Sequence, residues 1–131
     1  MRRLLMFVCI VCTSPAYAGV LETCYQAGGN AEEVNACLEN YLSTAQGALQ
    51  DTLTIAKQQA EALGGRATEH LTEAQSQWEA ATLSDCAMHR VAAGSGAGGA
   101  PFEKACLIAA YSKRSKELQG FFPAISRSIA P

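Results

Sequence analysis

The sequence predicts an all-α domain: a long antiparallel helical hairpin plus a third helix, stapled by two disulfides. Three observations carry this. Apolar residues recur at steps of three and four over long stretches, the period of one helix face. No stretch of useful length alternates apolar and polar residues as a half-buried strand does. Once an N-terminal leader is set aside, four cysteines remain, an even count in a small domain of exported type.

The leader spans residues 1–18. "MRR" is a short positive start and "LLMFVCIVC" is an apolar run of nine residues, too short to cross a membrane. "AYA" at Ala16 to Ala18 offers small residues around a cleavage point. Together these read as a secretory signal peptide cut after Ala18, and a periplasmic or secreted location follows. Cys9 and Cys12 form a C-x-x-C, but they belong to the discarded segment. Neither follows the small residues of a lipoprotein cleavage site. Residues 19–131 are then a single domain with no membrane span.

Within that domain, Gly28-Gly29-Asn30 reads as a turn. Asn30 is placed to cap a helix, with Glu33 at its third position. The stripe that follows is Val34, Cys37 or Leu38, Tyr41, Ala45, Leu49, Leu53 or Thr52, Ala56, Ala60 and Leu63. It predicts one helix of about thirty residues that stops at Gly64-Gly65, with a kink allowed at Gly47. Thr68 is expected to cap the second helix. Its stripe is Leu71, Ala74 or Gln75, Trp78, Ala81 or Thr82, Cys86 and His89. A glycine-rich loop, "AAGSGAGGAP", occupies residues 92–101 and resists regular structure. Pro101 can open a third helix, which runs to about Gln119 before Gly120 and Pro123. That helix is expected to pack on the end of the second.

The cysteines of the domain are Cys24, Cys37, Cys86 and Cys106. Three pairings are open. Cys24–Cys37 and Cys86–Cys106 are favoured because each closes a short local loop. A loop of about 15 residues is worth roughly 3 kcal/mol in the chain-entropy model. The stripes are rich in alanine, which buries little area, so crosslinks suit so thin a core.

Charge narrows the function classes. Without Arg2 and Arg3, eight Lys and Arg face twelve Asp and Glu, a net charge of −4. Residues 19–85 carry −8 and residues 86–131 carry +4. An acidic half disfavours nucleic acid and favours basic partners, or is simply a solvated helix face.

Catalytic and metal motifs find little support. Cys86-Ala-Met-His89 has C-x-x-H spacing and could join Cys24 or Cys37 at a zinc ion, but export argues against free thiolates. His70 between Glu69 and Glu73 reads as a solvated face. There is no Gly-x-Ser-x-Gly elbow, and no Lys-Ser/Thr follows the glycine loop as in a phosphate loop. The expectation is a non-enzyme that needs no cofactor and no metal. The glycine-rich loop is either a connector or a pliant recognition element. In the second case Arg90, Gly94, Ser95, Gly96 and Lys104 are the candidate partner-binding residues.

Several separated features also agree in order. They are Leu71, Ala74, Gln75 and Trp78 in "LTEAQSQW", then Cys86, then Gly98-Gly99, then Cys106, Arg114 and Leu118 in "CLIAAYSKRSKEL". This series resembles the LprI-like lysozyme-inhibitor family, whose pattern looks like L-x-x-A-Q-x-x-W-x-x-Y-R-x-x-x-C, a Gly-Gly loop, then C-x4-T-x2-R-x3-L. Cys24 and Cys37 fit the family's opening cysteine pair, so the resemblance spans roughly Cys24 to Phe122. Three places depart from it. Ala81-Thr82 stand where the family has Tyr-Arg, and Tyr111 stands where it has threonine. Leu49-Gln50 with Leu53 replaces a Leu-Asn-x-x-Tyr.

The resemblance implies a small exported bacterial protein that inhibits a lysozyme-type muramidase or another cell-wall hydrolase by steric occlusion. An acidic inhibitor surface would speed encounter with a basic enzyme. The alternative is a periplasmic envelope adaptor, which an exposed apolar groove along Leu49, Leu53 and Ala56 would favour. A third reading, a zinc-binding protein, requires free thiols near His89. Trp78 is expected to anchor the core beside a disulfide, with Gln75 bonding backbone at the same junction.

Overall fold

The computed structural model describes residues 16–94 and 98–122. The first fifteen residues of the expected leader, Ser95 and Gly96 of the loop, and the tail from Pro123 lie outside the described residues. Four helices follow in order: α1 Ala16–Ala27, α2 Ala31–Leu63, α3 Ala67–Ala92 and α4 Ala100–Phe121. The all-α expectation holds.

α1 is an element that the helical stripes did not predict. Val20, Leu21 and Cys24 stand at i, i+1 and i+4 and turn toward the core, and Cys24 is fully buried. Two turns of pattern are too short to announce a helix by period alone.

α2 forms as the sequence suggests. The Asn30 Oδ1 accepts from the amides of Glu32 and Glu33, each at 3.0 Å. The Glu33 carboxylate in turn accepts from the Gly29 N–H. Orphan amides at both sides of the helix start are thereby satisfied. The helix continues unbroken across Gly47. Val34, Leu38, Ala45, Leu49, Thr52, Leu53, Ala56 and Ala60 are buried along it. Two members of the expected stripe leave the core: Tyr41 is 43% exposed and Leu63 is 72% exposed. Leu42 packs inward near the first of these.

The turn between α2 and α3 uses Gly64 at φ 70° and Gly65 at φ 62°. Residues with a Cβ avoid that region, which explains the glycine pair. Thr68 is not the cap of α3. The cap position is Arg66, whose side chain makes no capping bond and pairs with Glu69 at 3.0 Å. The helix thus begins before Thr68. Only Leu71 and Cys86 are buried on α3. Of the alternatives left open, Gln75 and Thr82 are half-buried while Ala74 and Ala81 are exposed.

α4 begins with Pro101 in its first turn, where the missing N–H costs nothing. Pro101, Ala105, Ile108, Tyr111, Arg114, Ser115 and Leu118 are buried. This wide face explains a difference from the expected arrangement. α4 packs against α1, α2 and α3, most extensively along α2, whereas direct contact between α2 and α3 is limited. The last helix is therefore the centre of the bundle and not an appendage on the end of α3. Helical stripes reveal which residues face inward, but not which partner they meet.

Both favoured disulfides are formed. Cys24–Cys37 ties α1 to α2, and Cys86–Cys106 ties α3 to α4, with Cα–Cα distances of 5.7 and 5.5 Å. No helix among the described residues is long and apolar enough to cross a membrane.

Candidate functional site

The residues Gln75, Trp78 and Arg114 meet where α3 crosses α4. Arg114 lies on the buried face of α4 and is only 7% exposed. Its Nε donates to the Gln75 Oε1 at 3.0 Å and its Nη1 donates to Glu117 at 3.3 Å. Its guanidinium carbon sits 5.4 Å from the centre of the Trp78 ring. A desolvated cation over an indole is worth about 2 kcal/mol. Trp78 also meets Tyr111, with ring centroids 6.0 Å apart and planes tilted by 50°. The Gln75 side chain thus bonds a guanidinium, not the backbone bond expected of it. Arginine carries donors only, so the amide must present its oxygen to Arg114. Its Nε2 hydrogens are left for anything on the other side.

That other side is a pocket of about 220 Å³ between α2 and α3, with Tyr111 of α4 also on its wall. Leu49, Leu53 and Trp78 line it together with Gln46, Gln50, Lys57, Thr72, Gln75 and Glu79. Trp78 is half-buried and packs against the core, so it serves as anchor and pocket wall at once. Gln50, Leu53 and Tyr111, three positions where the sequence departs from the resembled pattern, fall on this one pocket. The groove is not the apolar strip along Leu49, Leu53 and Ala56. All three of those residues are buried, and amides and charges supply much of the lining.

Sequence reasoning missed Gln46, Gln50 and Lys57 as site residues. The available signal was modest: Gln46 and Gln50 stand at i and i+4 beside the apolar stripe. The Arg114 link to Gln75 spans 39 positions, which no local spacing reveals.

The glycine-rich loop is a separate region. Gly94 has φ 103°. A Cβ on Gly99 would sit 2.3 Å from the Arg90 carbonyl oxygen, so the chain closes here only on glycine. The candidate cations beside the loop have partners. Arg90 pairs with Glu103 at 3.3 Å and Lys104 with Glu39 at 3.0 Å. Lys104 also donates to the Asn35 Oδ1 at 3.4 Å. These bonds clamp the start of α4 to α2 and α3. The Arg90 side chain remains 49% exposed, the Lys104 side chain only 22%.

The zinc reading loses its ligands. The Cys86 sulfur is bonded to Cys106, and Cys24 and Cys37 are bonded to each other. Among the described residues no group of three His, Cys, Asp or Glu side chains is placed to hold a metal ion.

The chain belongs to the LprI family of lysozyme inhibitors. The family model described as "Lysozyme inhibitor LprI" matches residues 24–118. That span runs from the first disulfide cysteine to the last buried leucine of α4. No curated protein and no solved structure matches the chain significantly.

Proposed function

We propose that this LprI-family chain is an exported, non-catalytic inhibitor of a lysozyme-type muramidase, acting by binding the enzyme and occluding its cleft. Family membership over residues 24–118 is the observation that carries this reading. Two disulfides suit an oxidising compartment, in keeping with a leader over residues 1–18 and a single domain over 19–131. Occlusion asks nothing of the inhibitor but a rigid surface of complementary charge. The surplus of carboxylates in residues 19–85 supplies that charge toward a basic enzyme, with an encounter rate that falls as salt rises.

The proposed contact surface is the loop end of the molecule. Gly94, Ser95 and Gly96 are the loop residues proposed to meet the enzyme, with Arg90 and Lys104 beside them. Lys104 acts there through its clamp on Glu39 and Asn35, holding the loop end in place. Arg90, half-exposed, keeps donors for a partner.

The test is a bacterial-cell turbidity assay with oxidised residues 19–131 and several muramidases. Inhibition with a micromolar or lower dissociation constant is expected for at least one enzyme, weakening at high salt. Absence of both inhibition and binding at micromolar concentration would sink the reading for those enzymes.

A further inference from the structure

We propose that the pocket beside Trp78 is a binding site for a single neutral sugar ring. Its volume of about 220 Å³ lies below the range of about 300–1,000 Å³ typical of drug-sized sites, so it suits one ring. Trp78 and Tyr111 make an angled aromatic corner, their planes tilted by 50°. Tyr111 is buried and Arg114 covers part of the Trp78 ring, so the half-buried Trp78 offers the exposed remainder of its ring to the C–H side of a pyranose, whose hydroxyls point outward around its rim.

Around that corner stand three amides, Gln46, Gln50 and Gln75. An amide both donates and accepts, as a hydroxyl does, so the two match without any change of protonation. Lys57 and Glu79 contribute one charge of each sign, leaving the lining neutral overall. That disfavours a phosphate or any other strongly charged ligand. The density of polar groups disfavours an acyl chain, which would strand them without partners.

The site is also held ready. Arg114 fixes Gln75 through the 3.0 Å bond and fixes Trp78 by stacking. Two pocket residues are therefore ordered before any ligand arrives, which lowers the entropy lost on binding. This site is independent of muramidase inhibition and stands or falls by a separate measurement.

Trp78 is the chain's single tryptophan, so its emission reports this pocket alone. Oxidised protein is titrated with N-acetylglucosamine and methyl glucoside, with glucuronate as the charged control. Neutral sugars should shift the emission saturably, with a dissociation constant on the order of 1 mM. Amide NMR shifts should cluster at Gln46, Gln50, Gln75 and Trp78. Gln50→Ala, an exposed position on the rim, should weaken binding about tenfold with an unchanged thermal melt. The proposal is overturned by a flat emission and unmoved amides up to roughly 100 mM neutral sugar, a concentration well above that constant. It is equally overturned by a response to glucuronate alone, by equal binding to Gln50→Ala, or by shifts at these amides only when a muramidase is added.

Discussion

α2 and α3 are both long helices on the same bundle, yet they are held by different means. α2 buries eight residues along its length. α3 buries two, one of them a disulfide cysteine. α2 is attached mainly by apolar area spread along its face, with the Cys24–Cys37 bond and the Lys104 clamp near its start. α3 is attached at points: the Cys86–Cys106 bond, Leu71, and the polar stack of Gln75, Trp78 and Arg114. The difference teaches that a thin, alanine-rich core can leave a groove open between two helices if the second is pinned. The pocket beside Trp78 exists because α3 is pinned to α4 more than it is packed against α2.

The comparison breaks most visibly at Leu38, fully buried on α2. Leu38→Ala should cost about 2–5 kcal/mol in denaturant unfolding, with all four helices melting together. Replacing Cys86 and Cys106 by serine should cost about 3 kcal/mol. Here hydrogen exchange should show α3 losing protection ahead of α2, and simultaneous loss would contradict point attachment. Arg114→Ala removes the stack and leaves the Gln75 oxygen without its donor, for about 2 kcal/mol. Its distinguishing readout is Trp78 emission, which should shift as the ring gains freedom. The smallest change is favourable. Gly47 sits mid-helix on α2, and a Cβ there would meet no atom within 4 Å. Gly47→Ala should raise stability by up to about 1 kcal/mol, measured as a higher melting temperature.

Much of α2 was legible because it carries its own instructions: a capping asparagine, a long apolar stripe and a glycine stop. Pro101 likewise marked the start of α4. The central position of α4 was hidden, since its inward face is set by partners distant in sequence. One clue was present. Arg114 stands three residues after Tyr111 and four before Leu118, on the buried face of its helix. A donor-only side chain placed there requires an acceptor, and Gln75 on the facing helix was the amide to look for. The loop cations illustrate a second kind of hidden partner. Composition placed Arg90 and Lys104 beside a glycine-rich loop, and could not reveal the carboxylates on neighbouring helices that pair with both.

The disulfides join Cys24 to Cys37 and Cys86 to Cys106, each cysteine to the next in sequence, and neither link spans Gly64-Gly65. Each crosslink therefore closes within one half of the polypeptide. A chain that enters an oxidising space N-terminus first meets Cys24 and Cys37 together before Cys86 arrives. Pairing in order of arrival gives this connectivity. A cut at the glycine turn would separate the backbone into two fragments, each still carrying its own staple.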